Sequence, residues 1–105
     1  MVRIPTQIKA IIDEYIILLR MNNIPIKNLY LFGSYAKGNN NEWSDIDLAL
    51  VSDLFEGVRI KDKDKIRKFN LAISSSLEVL PFNPNDFTED NPFAKEIIES
   101  GIRIV

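Results

Sequence analysis

Residues 45 to 51 read Asp-Ile-Asp-Leu-Ala-Leu-Val, and their alternation restricts how the chain can fold. In an extended backbone Ile46, Leu48 and Leu50 fall on one side, and Asp45, Asp47 and Ala49 on the other. The spacing predicts a strand over 45–51 with one apolar face turned to a core. The same spacing sets two carboxylates on the opposite face. Residues i and i+2 stand about 6.5–7 Å apart along a strand, so both can turn their oxygens toward one point.

Around this strand the rest of the chain divides cleanly. From Pro5 to about Asn22 apolar residues recur at three and four, with Ile8, Ile11, Ile12, Tyr15, Ile16 and Leu19 on one helix face. Ile17 and Leu18 widen that stripe and predict cover on more than one side. Pro5 suits the first turn, and Asn22, Asn23 and Pro25 end the helix. Ile26 to Phe32 reads as a strand stopped by Gly33, and residues 33–38 as a turn with room for one helical turn. Lys61 to about Ser75 is helical, with Ile66, Phe69, Leu71 and Ile73 as its apolar contacts and Asp64–Lys68 as an i,i+4 pair. Its charges read as a solvated face. Leu77 to Phe82 is a further strand, bounded by Pro81 and Pro84. Asn91 caps a helix from Pro92 to about Ser100, Gly101 ends it, and Ile102 to Val105 forms an edge strand. This order predicts an α+β fold, with a small mixed β-sheet and helices packed on one side, as a single domain over residues 1–105.

The composition narrows the chemistry. The 105 residues include no cysteine and no histidine. Thiolate sites, imidazole bases and the usual zinc ligands are therefore excluded. Carboxylates remain, and they suit hard cations such as Mg²⁺. Thirteen Lys and Arg face fifteen Asp and Glu, a net charge of −2, so stand-alone nucleic-acid binding is not expected. No apolar run is long enough to cross a membrane, and the start Met-Val-Arg-Ile-Pro lacks a signal-peptide layout. A cytoplasmic protein is expected.

Three features then stand out: Gly33-Ser34 after a strand, Asp45-Ile46-Asp47 on the next, and Glu78 inside the apolar run Leu77-Glu78-Val79-Leu80. Adjacent carboxylates repel unless a cation lies between them. If the third strand neighbours the second, Glu78 completes a three-carboxylate cluster. Such a cluster can hold two Mg²⁺ ions about 3.5–4 Å apart, an arrangement suited to in-line displacement at phosphorus. Gly33 lets backbone approach a phosphate, Ser34 offers a hydroxyl and an N–H, and Lys37 could add positive charge. Each piece alone has a plainer explanation. Gly-Ser after a strand is usually a turn, and Asp-x-Asp is usually the wet face of a sheet. The plainer reading makes Asp45 the start of the strand, Glu78 an edge charge and Lys37 a surface lysine. Trp43 reads as a loop anchor rather than a base-stacking platform.

In combination they are specific. Leu31-Phe32-Gly33-Ser34-Tyr35-Ala36-Lys37-Gly38, followed by Ser44-Asp45-Ile46-Asp47-Leu48-Ala49-Leu50-Val51, resembles the signature of the DNA polymerase β-like nucleotidyltransferase superfamily. The likeness is to its minimal nucleotidyltransferases and extends through Leu77–Phe87 and Pro92–Val105. The resemblance implies that Gly33 and Ser34 bind nucleotide phosphates and that Asp45 and Asp47 are metal ligands. It puts Glu78 in place of a third carboxylate that is often Asp, positioning or deprotonating the acceptor hydroxyl. Lys37 stands where relatives commonly carry Arg. Larger relatives have an additional helical domain, so the acceptor site of this chain is expected to be incomplete alone. Minimal members are typically paired with a HEPN-domain RNase toxin, and can transfer AMP to a tyrosine of it. The resemblance thus implies a Mg-ATP-dependent protein adenylyltransferase acting as antitoxin, alone or in a homo- or hetero-oligomer. The alternatives are a non-catalytic nucleotide-binding antitoxin and an enzyme that modifies a small-molecule hydroxyl.

Overall fold

The computed structural model describes residues 3–105. Met1 and Val2, part of the start judged unlike a signal peptide, lie outside the described residues. The elements follow in the order α1 (Thr6–Met21), β1 (Asn28–Phe32), α2 (Ser34–Lys37), β2 (Ile46–Val51), α3 (Arg59–Ile73), β3 (Leu77–Phe82), α4 (Pro92–Ser100) and β4 (Ile102–Arg103). The strands form one mixed sheet in the order β3-β2-β1-β4. β1 pairs antiparallel with both β2 and β4, whereas β2 and β3 run parallel. A parallel pair needs a long crossover, which α3 supplies.

One face of the sheet carries the main core. Leu29, Leu31, Ile46, Leu48, Leu50, Leu77 and Val79 meet Ile12, Tyr15, Ile16 and Leu19 of α1 and Ile66 and Phe69 of α3. Burying a side chain of this size contributes about 1.5–3 kcal/mol, so this layer supplies much of the drive to fold. The Tyr15 hydroxyl donates to Asn70 Oδ1 and ties the two helices together. Burial pushes the Tyr15 phenol far above its ordinary pKa, which keeps it neutral and able to donate.

The expected helix layer is thus present, and α4 adds a smaller cover on the second face. There Ile97 packs on Ala49, Val51 and Phe82, with Tyr30, Phe32, Leu80 and Phe87 around them. The Phe87 ring lies 5.4 Å from that of Tyr30 and 5.1 Å from that of Phe82. Asn91 caps α4 as expected, its Oδ1 accepting from the N–H of Phe93 at 3.0 Å and of Ala94 at 3.3 Å. This cover reaches only the half of the face that holds Ala49 and Val51. Asp47, two residues earlier on the same side, remains half-exposed beyond it.

Several local expectations need correction. Ile17 is 58% exposed and Leu71 68% exposed, so neither joins the core. Asp64 pairs with Arg67 at 2.8 Å, while the Lys68 ammonium lies over the Phe69 ring at 5.1 Å. Pro81 sits within β3 rather than after it. β3 is the outermost strand on its side of the sheet, where a missing N–H is tolerated. Pro5 precedes the first turn of α1, and its carbonyl accepts from Ile8 and Lys9 at 3.0 Å. Trp43 anchors nothing: its side chain is 85% exposed.

Candidate active site

The site grows from the pairing of three strands. Phe32 at the end of β1 stands opposite Asp47, and Asp47 stands opposite Glu78. Gly33 follows Phe32 directly. Gly33, just past the end of β1, therefore lies beside Asp47 of β2 and Glu78 of β3 at one end of the sheet, and Asp45 immediately precedes β2.

Gly33 has φ 74° and ψ −149°, a region essentially closed to other residues. That conformation turns the chain from β1 into α2, where Gly33 O accepts from the N–H of Ala36 and Lys37 at 3.1 and 3.0 Å. It also brings the Gly33 backbone against Asp47. A Cβ built on Gly33 would lie 2.2 Å from Asp47 Oδ2. Ser34 opens α2 and is half-buried. Gly38 closes it in the left-handed conformation, with φ 78°. Lys37 is exposed at the far end of α2 and forms no ion pair among the described residues.

The electrostatics mark a concentration of negative charge. Partial burial raises the pKa of Asp47, and the charges of Asp45 and Glu78 raise it further. Glu78 is half-exposed, and its Oε1 lies 3.8 Å from Lys63 Nζ. Among the described residues, no three His, Cys, Asp or Glu side chains are arranged to hold a metal ion. Asp47 thus feels the charge of both neighbouring carboxylates, without the three closing on a common point. Their chemistry fits a divalent cation such as Mg²⁺: the donors are all oxygen, and a cation between them would remove the repulsion around Asp47.

Sequence reasoning missed Lys63, which faces Glu78 from α3. The dense basic run between Arg59 and Lys68 was the available signal, but nothing in its spacing told which lysine would meet the site.

A mixed sheet with helices, a Gly-Ser turn and an Asp-x-Asp strand define the nucleotidyltransferase class. The profile of the nucleotidyltransferase domain matches residues 15–105, and the chain belongs to that family. Solved structures agree on the fold. A protein from Sulfolobus solfataricus, provisionally assigned as a nucleotidyltransferase, superposes with a TM-score of 0.69 at 16% identity, covering 92% of this chain and 78% of that one. A toxin-antitoxin structure with AMP-PNP gives a TM-score of 0.61 at 24% identity, covering 89% of this chain and 72% of that one. A mutant of the MntA-HpeT toxin-antitoxin gives 0.60 at 21% identity, covering 89% and 71%. The comparison with curated proteins found no match. Among the described residues, no helix is long and apolar enough to cross a membrane.

Proposed function

We propose that this domain uses Mg-ATP to transfer AMP to a hydroxyl of a partner protein in the cytoplasm, and that the partner is a HEPN-type toxin. The observation that carries this reading is the row of Gly33, Asp47 and Glu78 across three adjacent strands, with Asp45 beside it. Asp45 and Asp47 would hold the metal, with Glu78 as third carboxylate. When bound, Mg²⁺ would supply Lewis acidity at the phosphates and at the acceptor hydroxyl.

The chain's own groups then have distinct tasks. Gly33 and Ser34 hold the phosphates where the backbone has no side chain in the way. Asp45 and Asp47 fix the nucleotide's charge in register with the start of β2. Glu78 orients the acceptor hydroxyl and takes its proton as the oxygen bonds to the α-phosphorus. The bond from that phosphorus to the bridging oxygen breaks, and pyrophosphate leaves with the electron pair. Lys37, exposed beyond the turn, adds a mobile positive charge near the phosphates. The toxin partner is supported by the family resemblance and by neighbours described as toxin-antitoxin structures, one of them with AMP-PNP.

The test is transfer of label from α-phosphate-labelled ATP, with Mg²⁺, in lysate of the source organism. Nucleotidyl transfer keeps that phosphate on the product, whereas phosphoryl transfer does not. A labelled protein band made by wild type and lost in Asp47→Asn is expected. No band with either protein, in lysate shown to contain a binding partner, would leave a non-catalytic antitoxin.

A further inference from the structure

The chain is acidic overall, yet α3 is strongly basic where it passes the site. Arg59, Lys61, Lys63, Lys65, Arg67 and Lys68 lie within ten residues, against only Asp62 and Asp64. Lys65 is committed to Glu56 at 2.9 Å and to Asp62 at 3.3 Å. Lys63 and Arg67 stand one helical turn apart and line a groove of about 230 Å³, with Glu78 on its opposite wall. Leu77 and Val79 of β3 also line it, as does Asn70, which accepts from Tyr15. Lys63 lies 3.8 Å from Glu78, too far for a tight pair, and Arg67 pairs with Asp64 of its own helix at 2.8 Å, but all four side chains are well exposed, unlike the buried Asp62 that holds Lys65. A competing carboxylate can therefore draw both Lys63 and Arg67 away at little cost, because exposed pairs contribute little.

The position of the groove matters as much as its charge. The candidate site is polarised across the sheet, with Gly33 and Ser34 at the β1 side and Glu78 at the β3 side. Nucleotide phosphates at Gly33 leave the β3 side for the acceptor. β3 is also the end strand of the sheet, and among the described residues its outer edge has no strand partner. Pro81 lacks an N–H and limits any added strand to the stretch beside Glu78. A short extended protein segment fits such an edge. RNA fits it less well, because the groove offers Leu77, Val79 and Asn70 and no aromatic side chain for bases to stack on.

We propose that the groove between α3 and the open edge of β3 is the acceptor subsite, where Lys63 and Arg67 select a protein segment carrying carboxylates beside its hydroxyl. The assignment rests on the reading of Glu78 as the acceptor-side carboxylate. Lys63 holds Glu78 until the acceptor arrives, then exchanges it for an acceptor carboxylate and leaves Glu78 to the hydroxyl.

Fluorescence anisotropy tests this with the full chain, Mg²⁺ and an ATP analogue methylene-bridged between the α- and β-phosphates. The probes are a labelled peptide with a tyrosine among glutamates, its glutamine twin, and a labelled RNA oligonucleotide. The acidic peptide should bind about tenfold more tightly than its twin, the size expected of two exposed charge pairs. The double variant Lys63→Gln/Arg67→Gln should erase that preference, while Lys61→Gln, outside the groove, should keep it. Affinity for the analogue should be the same in all variants. Equal binding of the two peptides, a preference surviving the double variant, tighter binding of RNA, or loss of analogue binding would each overturn the assignment. Transfer from α-labelled ATP to the tyrosine peptide reports separately on the proposed activity. No label with the preference intact would sink the transferase reading and leave the groove as a docking site for acidic segments; label without preference would do the reverse.

Discussion

Gly33 and Asp47 meet so closely that a methyl group on Gly33 would lie 2.2 Å from Asp47 Oδ2 and 3.1 Å from its Cγ. One glycine thus fixes both the turn out of β1 and the position of a carboxylate on β2. Gly33→Ala should be damaged twice. Its backbone conformation costs a non-glycine residue about 1–3 kcal/mol. The displaced carboxylate should lower nucleotidyl transfer by about 100-fold, the loss that a misplacement of about 1 Å can bring. Gly38→Asn is the matched control, because Gly38 is left-handed and asparagine accepts that conformation. Thermal melts and rates on both variants check this; normal transfer by Gly33→Ala would show that Asp47 can move without consequence.

Asp47→Asn should raise stability while removing activity. Partial burial, Asp45 and Glu78 all raise the Asp47 pKa, so the native state binds this proton more tightly than the unfolded chain does. The charged form therefore carries no penalty below the ordinary carboxylate pKa and its full penalty above the raised one. Near neutral pH, without Mg²⁺, the amide should melt at a higher temperature than the wild type. Added Mg²⁺ should stabilise the wild type and leave the variant nearly unchanged. A lower melting temperature for Asp47→Asn would mean that the carboxylate is stabilising the fold.

The elements that hold the site were legible because periodicity reports directly on burial. The alternation of Ile46, Leu48 and Leu50 placed β2 and its Asp47, although the strand begins at Ile46 and leaves Asp45 just before it, and Asn91-Pro92 placed the start of α4. Element order made β3 a plausible neighbour of β2, but their parallel register, which sets Glu78 beside Asp47, appears only in the fold. Apolar residues on helix faces misled at Ile17 and Leu71, because a helix covered on one side leaves its flanks open. The second layer was hidden for a different reason. Tyr30, Phe82, Phe87 and Ile97 come from separate segments, and no local pattern announces that they meet. Gly101 was expected at the end of α4, but its role there is space: with an ordinary φ of −80°, a Cβ would lie 2.5 Å from Ile97 O and 3.0 Å from Leu31 O.

Trp43 gives the loop before Asp45 a built-in reporter. It is the sole tryptophan, and its side chain is 85% exposed. The loop is held by its polar groups instead: Asn41 Oδ1 accepts from the Trp43 N–H at 2.8 Å, and Ser44 Oγ from the Asn41 N–H at 2.9 Å. Emission should be that of a solvated indole and readily quenched by acrylamide. Trp43→Ala should change stability by no more than about 0.5 kcal/mol, as for other surface sites without special contacts. Blue-shifted emission, or a clear loss of stability in the alanine variant, would show that the indole is packed.

Asp62 should make the fold acid-sensitive. Its carboxylate, in the first turn of α3, is almost wholly buried against the loop that precedes the helix. Oδ1 accepts from the N–H of Glu56 and Oδ2 from that of Gly57, both at 2.9 Å, and the Lys65 ammonium lies 3.3 Å from Oδ1. Burial pushes the pKa up, but the two backbone N–H groups and Lys65 outweigh it and hold the carboxyl below its ordinary value. The unfolded chain therefore binds this proton more tightly than the native state does. The contribution of Asp62 is complete above the unfolded pKa and is lost as pH falls through the lowered native one. Asp62→Ala leaves the N–H groups of Glu56 and Gly57 without their acceptor, which should cost about 1–3 kcal/mol at neutral pH. Below the native pKa of Asp62 the wild type has lost the same charge, so the gap between the two proteins should narrow. Asp62→Asn should fall short of full recovery, because its amide nitrogen cannot accept from an N–H. Urea unfolding midpoints for the three proteins, followed from neutral to acid pH, decide the matter. A gap independent of pH would assign the effect to lost packing rather than to the charge.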